Sequence, residues 1–394
     1  MLALVAGCVA VSWPSDSRLV PRNGGHPVGN ERWTWLYLGF AIGAFVAYAA
    51  GLWLLRRFGG RLVLVGALAA AIQLAPLGAP LLISTDAWTY WDYGRIAAVH
   101  GGNPYVQHPA DYPADPAYRW AGTGWRDTSS VYGPAFTLAS EPLALADGSS
   151  ADAAAWTYKA LAALALLAAT ALAAQLAAGR RAFAAAFVGW NPLLALHFAG
   201  GGHNDAWMAA LVLAALGLGA SGRRQLAGAA WALAILVKWV PLLFLGLRAV
   251  EARRTGRPVA HAGFAATAAV VIGLASWRYG WHWIGAFGPL ARNANRETYF
   301  AIPHRLGALG VSRHVWAVAL AVAFAFAYSW LLREAWRGRA RLGLCAGLLL
   351  VATPWLVPWY AVWAVPLAAV DDDPPAQLLA LALSAYLLRQ AVPL

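Results

Sequence analysis

Residues 62–95 read LVLVGALAAAIQLAPLGAPLLISTDAWTYWDYGR, and the chain changes character at residue 84 of this stretch. Positions 62–83 are almost entirely apolar and long enough to cross a bilayer as a helix. Positions 84–134 form a polar insert that is rich in aromatic residues. Long inserts of this kind are usually functional or disordered, and the aromatic content argues against disorder. We therefore expect a membrane helix that delivers the chain to a functional loop.

The composition extends this interpretation to the whole chain. Of 394 residues, 61% are hydrophobic and 12% are charged, whereas a soluble domain carries about a quarter charged residues. Apolar runs near the length of a membrane helix recur from end to end. We predict a single all-α polytopic membrane domain over 1–394, a bundle of roughly eleven to thirteen transmembrane or re-entrant helices.

The net charge of +12 raises the alternative of a nucleic-acid partner. The basic residues instead fall in short loops between apolar runs, which is the pattern of cytoplasmic loops in membrane proteins. We therefore expect membrane lipids and no nucleic acid as partners. These basic loops carry Arg56, Arg57, Arg61, Arg180, Arg181, Arg223, Arg224, Arg253, Arg254, Arg257, Arg333, Arg337, Arg339 and Arg341.

This orientation puts four polar elements together on the extracytoplasmic face of the membrane. They are the insert over 84–134, a second aromatic insert over 278–313, the turn at 203–205 and a helix break over 353–360. A helix break at 238–241, between two basic loops, predicts that 225–252 enters and returns as two short helices. We expect 182–199 to be one span and 134–146 a half-helix. The convergence predicts one extracytoplasmic cavity.

The cysteines and the first residues of the chain also have simple interpretations. Cys8 and Cys345 lie far apart in apolar segments, which predicts small buried side chains rather than a disulfide or a metal site. Residues 1–13 are apolar without a basic start, so we expect a short first helix, or the remnant of one if the true start lies upstream.

Asp86 is the carboxylate that the pattern favours for chemistry. A carboxylate at the end of an apolar span is costly unless it is paired or solvated, so such a residue is a functional candidate. The alternative is an ordinary acid at a helix end that faces water. Helical spacing puts Tyr90 and Tyr93 on the same face as Asp86, with Asp92 nearer the opposite face. A site made of two paired carboxylates is therefore disfavoured.

Two further elements carry candidates. His203, Asn204 and Asp205 follow three glycines, and a helix cap and a site role are equally supported for this turn. Its spacing does not match a zinc motif, so no metal is predicted. Lys238 lies in the middle of an apolar segment, where a lysine usually faces a cavity or a partner. In the second insert, a basic group suits a phosphate at the bilayer surface: Arg292, Arg296, His304 and Arg305.

The ordered set of short motifs resembles a known family. The strings in the first insert are Ser84-Thr85-Asp86, Tyr90-x-x-Tyr93-Gly94-Arg95, Gly102-Asn103-Pro104-Tyr105 and Tyr132-Gly133-Pro134. Those downstream are Trp190-Asn191-Pro192, Gly202-His203-Asn204-Asp205, Lys238-x-x-Pro241 and Pro354-Trp355 to Trp359-Tyr360. Together they resemble polyprenyl-phosphate-sugar-dependent glycosyltransferases of the GT-C fold, in particular bacterial polyprenol-phosphate-mannose-dependent α-(1→6) mannosyltransferases of lipoglycan synthesis.

This resemblance implies an enzyme of the bacterial plasma membrane with its active site on the extracytoplasmic side. It implies inverting, metal-independent transfer of a sugar, mannose first, to a hydroxyl of a glycan or glycolipid, with no cofactor. Asp86 would be the catalytic base, with Asp205 as the second carboxylate to test. Lys238 would join the basic group in binding the donor phosphate. We expect substrate contacts from Tyr90, Asp92, Tyr93, Arg95, Asn103, Tyr105, Tyr132, His203, Asn204, Trp355, Trp359 and Tyr360.

Two alternatives remain open at this stage. A related transferase would use another polyprenyl-phosphate sugar, such as arabinose or glucose. A transporter or flippase for lipid-linked sugars would also show broken helices and charges within the membrane. The sequence shows no clear internal repeat, and long aromatic inserts on one side favour an enzyme.

Overall fold

A computed structural model describes residues 1–22, 27–256, 261–288, 296–390 and 392–393. Within these residues the protein is helical, with one isolated backbone bridge between Ser17 and Asn30. The α-helices, in chain order, are α1 Leu2–Ala10, α2 Glu31–Phe58, α3 Leu62–Leu74, α4 Asp86–Ala98, α5 Pro134–Asp147, α6 Ala151–Leu176, α7 Arg181–Gly189, α8 Pro192–Phe198, α9 Asp205–Ala220, α10 Arg224–Val237, α11 Pro241–Thr255, α12 His261–Tyr279, α13 Ile302–Ala308, α14 Arg313–Trp336, α15 Leu342–Ala352, α16 Ala361–Val370 and α17 Pro374–Leu387. Short 3-10 helices are Ala75–Gly78, Pro109–Asp111, Thr123–Trp125, Gly280–Ala286 and Pro358–Tyr360.

The helices have the apolar character of a membrane protein. Three of them, α2, α6 and α14, are long and apolar enough to cross a bilayer by themselves, and several shorter helices are also apolar. On α14, the apolar side chains of Val315, Val318 and Phe326 are exposed to the outside of the bundle, as lipid-facing side chains are. The prediction of a helical membrane protein is confirmed, and the number of crossings stays a prediction.

Two predicted spans are shorter than expected, because proline interrupts both. The span over 182–199 is wrong: α7 ends at Gly189, and a new helix, α8, begins at Pro192. Asn191 caps α8 by accepting hydrogen bonds from the backbone N–H groups of Leu193 and Leu194 at 3.1 and 3.3 Å. The span over 62–83 ends as an α-helix at Leu74 and continues only as a 3-10 turn. A proline has no N–H for the helical ladder and favours such breaks.

Helices α9, α10 and α11 define two ends of the bundle. Helix α9 begins at Asp205 and α10 ends just before Lys238, and these two side chains are in contact. Helix α11 then leads away from this end, from Pro241 to Thr255. The prediction of two short helices, broken at 238–241, is confirmed. With 16 residues in α9, the two ends are about 24 Å apart along its axis at 1.5 Å per residue.

The basic loops meet at the end of the bundle opposite the start of α9. Arg180 pairs with Asp372 at 2.9 Å, and Arg341 pairs with Asp373 at 2.6 Å. Glu251 accepts a hydrogen bond at 3.0 Å from the backbone of the basic loop that follows α14. Loops that are distant in the sequence therefore meet at one end, which we call the basic end, as the charge pattern predicts.

Candidate active site

A cavity of about 270 Å³ lies at the opposite end from the basic loops. Four separate parts of the chain form its wall: the first insert, the start of α9, the break between α10 and α11, and the stretch from the end of α15 to the first turn of α16. The lining residues are Asp86, Tyr90, Trp125, Val131, Tyr132, Asp205, Lys238, Trp239, Val240, Thr353, Trp355, Val357, Trp359, Tyr360 and Trp363. Two carboxylates and an ammonium group thus face a wall that is otherwise mostly aromatic.

Asp86 is the first residue of α4 and reaches the cavity with 13% of its side chain exposed. Its Oδ2 accepts a hydrogen bond from the Tyr90 hydroxyl at 3.4 Å and lies 3.1 Å from Nδ1 of His203. Burial alone would raise the pKa of Asp86, but the hydrogen bond and charge of His203 and the charge of Lys238 outweigh it and hold the pKa below its usual value. The carboxylate is therefore ionised at neutral pH.

His203 contacts Asp86 from the protein interior, since its side chain is fully buried. A carboxylate only accepts, so Nδ1 of His203 carries the proton of their hydrogen bond. The ring stacks on Trp359 with 3.7 Å between ring centroids and 12° between planes. The preceding Gly202 has a φ of +73°, a left-handed conformation that glycine adopts without strain. The turn thus places His203 to orient Asp86 rather than to touch a ligand in the cavity.

Asp205 and Lys238 form an ion pair in the same cavity, with Nζ 2.6 Å from Oδ1. The indole Nε1 of Trp363 donates to the same oxygen at 2.6 Å. The Lys238 ammonium also lies 4.9 Å from the ring centroid of Tyr360, a cation–π contact. No side chain caps α9, and Asp205 faces Lys238 instead. The cap interpretation of this turn is therefore wrong, and Asp205 fixes the position of a cation.

The Tyr132-Gly133-Pro134 motif joins the first insert to the Lys238 break. The N–H of Gly133 donates to the carbonyl of Val237 at 3.2 Å. A Cβ on Gly133 would lie 2.0 Å from the carbonyl oxygen of Leu236, so only glycine fits against this backbone. Tyr132 is thereby held in the cavity wall.

Some predicted substrate contacts hold the first insert together instead of lining the cavity. Arg95 pairs with both carboxylate oxygens of Asp115 at 2.8 and 2.9 Å, and Tyr93 donates to the carbonyl of Thr128 at 2.7 Å. Asp92 is buried nearby, and burial, with the charge of Asp115, raises its pKa to about 8.

Asn103 and Tyr105 also act within the scaffold. The Asn103 amide donates to the carbonyl of Tyr279 at 2.7 Å, which connects the first insert to the start of the second. The Tyr105 hydroxyl donates to the carbonyl of Tyr132 at 3.1 Å. The side chain of Asn204 is buried beside the cavity turn and has no hydrogen-bond partner in the described part of the chain.

Arg296, His304 and Arg305, the described members of the basic group in the second insert, do not line the cavity. His304 lies 3.4 Å from Glu297, and Arg305 lies over the ring of Tyr299 at 4.4 Å. Arg296 is exposed, and Arg292 lies outside the described residues. The insert does contact the segment that carries lining residues: the hydroxyl of Thr298 donates to the carbonyl of Leu356, between Trp355 and Val357, at 2.7 Å. Of the four predicted phosphate ligands that the structure describes, Lys238 is the one in the wall.

The cavity includes residues that the sequence did not single out. Trp363 follows Trp359 by four positions, so helical spacing would have put it on the same face as a tryptophan that was already a candidate. No local pattern marked Trp125.

Lys159 is buried outside the cavity and donates to the carbonyl of Leu77 at 3.1 Å, which stabilises the segment that leads to Asp86. No group of three or more His, Cys, Asp or Glu among the described residues is arranged to hold a metal ion.

Comparison with known proteins places the chain in a family. A family model described as alpha-(1->6)-mannopyranosyltransferase, N-terminal domain, matches residues 1–254. The chain is also similar to alpha-(1->6)-mannopyranosyltransferase A of Mycobacterium tuberculosis, with 28% identity over 335 residues. That alignment covers 74% of this chain and 63% of the relative, so the chain spans less than two thirds of the relative's length. No solved structure matches. Because the family model covers more than half of the chain, this protein belongs to the alpha-(1->6)-mannopyranosyltransferase N-terminal domain family.

Proposed function

We propose that the protein is a multi-pass membrane mannosyltransferase of the GT-C class that moves mannose from a polyprenyl phosphate to a hydroxyl of a glycan or glycolipid. Family membership and the name of the mycobacterial relative support the sugar. The observation that carries the proposal is the placement of an ionised, partly exposed Asp86 in the same cavity as Lys238. A base and a cation on one cavity suit the transfer of a sugar away from a phosphate.

The reaction in this proposal is a single displacement. The acceptor oxygen bonds to the anomeric carbon of the donor as the bond from that carbon to the phosphate oxygen breaks. The hydroxyl proton passes to Asp86, and the polyprenyl phosphate leaves as an anion. Attack from the face opposite the phosphate converts a β-linked donor into an α-linked product, with a transition state of oxocarbenium character.

Lys238 is the group that would stabilise the leaving phosphate. An ammonium has three N–H donors, and the pair with Asp205 uses one of them in a fixed direction. Lys238 lines the cavity and 17% of its side chain is exposed, so a further N–H donor would be available to a phosphate oxygen. A preorganised cation of this kind acts where charge develops on the leaving group. Tryptophans in the wall, at Trp125, Trp355 and Trp359, offer flat faces for sugar rings.

The active site would face the extracytoplasmic side of the membrane. The cavity lies at one end of α9, and the basic loops meet at the other. Because basic loops stay cytoplasmic, this separation supports a cavity that opens on the opposite side. A donor with a polyprenyl tail would then present its phosphate at that surface.

Transfer by purified, reconstituted protein tests the proposal. The protein would be incubated with polyprenyl phosphates that carry mannose, arabinose or glucose, and the product linkage would be determined. We expect transfer from the mannose donor, and a loss of about 10²–10⁴-fold in Asp86→Asn, the range for one positioned base. The matched control is Asp127→Asn, the same change at an exposed aspartate of the same insert. Unimpaired transfer by Asp86→Asn contradicts the base assignment, and movement of lipid-linked sugar without transfer favours a transporter.

A further inference from the structure

A second cavity, of about 860 Å³, opens at the basic end of the bundle. It lies between the loop that joins α2 to α3 and the loop that joins α6 to α7. Three arginines line it: Arg56, Arg180 and Arg181. No carboxylate is among the lining residues, and Asp372 pairs with Arg180 from outside.

The charge of this cavity is therefore positive. Arg56 donates to the neutral amide of Gln377 and packs on the ring of Phe183, with 4.8 Å from its guanidinium carbon to the ring centroid. Arg181 is exposed at the cavity wall. Within the described residues, neither Arg56 nor Arg181 has a carboxylate within 4.0 Å. Two guanidinium groups thus remain available to an anion, and guanidinium pairs well with phosphate.

An apolar groove of about 540 Å³ continues from this cavity. Leu62, Gln175 and Arg181 line both spaces, so the groove begins where the basic cavity ends. It follows α3 from Leu62 to Ala70, a length of about 12 Å at 1.5 Å per residue. At its inner end, α3 is joined to α6 by a hydrogen bond from Gln73 to Thr170 of 2.7 Å.

Small side chains keep the groove open. They are Gly66, Ala69, Ala70, Ala171, Ala174 and Ala185. Small residues usually let two membrane helices approach closely, yet a Cβ built on Gly66 meets no atom within 4 Å. The space between α3 and α6 is therefore a gap in the bundle surface that needs an apolar occupant in a bilayer.

We propose that this composite site binds one anionic phospholipid, with the headgroup phosphate at Arg56 and Arg181 and an acyl chain in the groove. The charge of the cavity matches the headgroup, and the groove that joins it matches the chain. Basic pockets between helices at the cytoplasmic surface are suited to anionic headgroups. This site is separate from the proposed transfer cavity, which lies at the other end of the bundle.

Lipid retention by purified full-length protein tests the site. The protein would be exchanged into detergent with equal amounts of phosphatidylglycerol and phosphatidylcholine, and bound lipid would be counted by native mass spectrometry. We expect a single phosphatidylglycerol on the wild type and about tenfold weaker retention in the double variant Arg56→Gln/Arg181→Gln, since each arginine contributes to attraction of an anionic headgroup.

Two further variants separate the parts of the site. Gly66→Leu would fill the groove and is expected to reduce retention while leaving both arginines in place. Arg253→Gln/Arg254→Gln removes the same charge from the last turn of α11, where both arginines are exposed, and is expected to retain lipid like the wild type. Equal retention of the two lipids by the wild type, or equal loss in the Arg56/Arg181 and Arg253/Arg254 variants, would overturn the proposal in favour of general charge attraction. Undiminished retention by Gly66→Leu would overturn the acyl-chain part.

Discussion

The Nδ1 atom of His203 lies 3.1 Å from the Oδ2 atom of Asp86, although the two residues are 117 positions apart in the chain. The histidine is fully buried and the aspartate is partly exposed, so the carboxylate is the member of the pair that a substrate can reach. The two residues would therefore have different roles: Asp86 would take the proton, and His203 would hold the carboxylate in position and keep it ionised.

Removal of the His203 imidazole should change how transfer depends on pH. His203 lowers the pKa of Asp86, so His203→Gln raises that pKa, and the acid limb of the kcat/KM profile moves to higher pH. We also expect kcat to fall roughly 10- to 100-fold, because a misplaced catalytic group costs up to about that much. The measurement is a pH series of initial transfer rates. A lowered rate with an unmoved acid limb would mean that His203 supports the fold without tuning Asp86.

Variants of the Asp205–Lys238 pair should affect protein stability and sugar transfer differently. Asp205→Asn leaves the lysine without its carboxylate, and loss of one member of a buried pair costs about 3–5 kcal/mol; partial exposure of Lys238 puts the expected cost at the low end of this range. In Asp205→Asn/Lys238→Met, much of the stability should return while transfer stays low, because the cation for the phosphate is gone. Thermal unfolding and transfer assays on both variants and on Lys238→Met would measure this.

The exposed pair at the basic end is the control for that experiment. Asp372 is 81% exposed where it pairs with Arg180, and exposed pairs contribute about 1 kcal/mol or less. Asp372→Asn should therefore change neither stability nor transfer appreciably. Restored transfer in the Asp205→Asn/Lys238→Met variant would contradict the role of Lys238.

Asp92 predicts a pH dependence of stability. Burial raises its pKa to about 8 in the folded protein, against about 3.9 in an unfolded chain. Between these values the folded state holds the extra proton, so the free energy of unfolding falls as pH rises. Asp92→Asn does not titrate, and its stability relative to the wild type should increase from pH 5 to pH 8 by on the order of 3–4 kcal/mol, at about 1.4 kcal/mol for each pH unit over which only the folded state keeps the proton.

Thermal unfolding of Asp92→Asn and wild type at both pH values checks this. Asp127→Asn removes a charge from an exposed site of the same insert and should show no such pH-dependent gain. A constant difference between Asp92→Asn and wild type across the pH range would be the contrary result.

Gly133 should tolerate no side chain. Its Cβ would lie 2.0 Å from the carbonyl oxygen of Leu236, so Gly133→Ala must push the first insert away from the Lys238 break. We expect a loss of about 1–3 kcal/mol in stability, as for other overpacked sites, together with reduced transfer. Gly124 lies in the same insert and has open space at its Cβ, which makes Gly124→Ala the matched control. Equal behaviour of the two variants in unfolding and transfer assays would show that the close approach is unimportant.

The sequence by itself determined the elements whose signals are local. Apolar runs, proline breaks and arginine loops depend on neighbours within one helix, so they predicted a helical membrane protein, the break at 238–241 and the meeting of the basic loops. The polar insert after residue 83 also pointed to Asp86, which lies in the cavity wall. Asn191 shows the limit of this approach, because the cap it provides divides a run that had the length of one span.

The tertiary structure alone decided the partners. Asp86 meets His203, and Asp205 meets Lys238, only because α4 and α9 begin where α10 ends, and no periodicity within a single helix encodes such a distance. The same packing turned Arg95 toward Asp115 and left His304 beside Glu297, so side chains of similar local pattern have different surroundings. Charge and hydrophobicity select the end of the bundle for each segment, and the helix packing selects the atoms that touch.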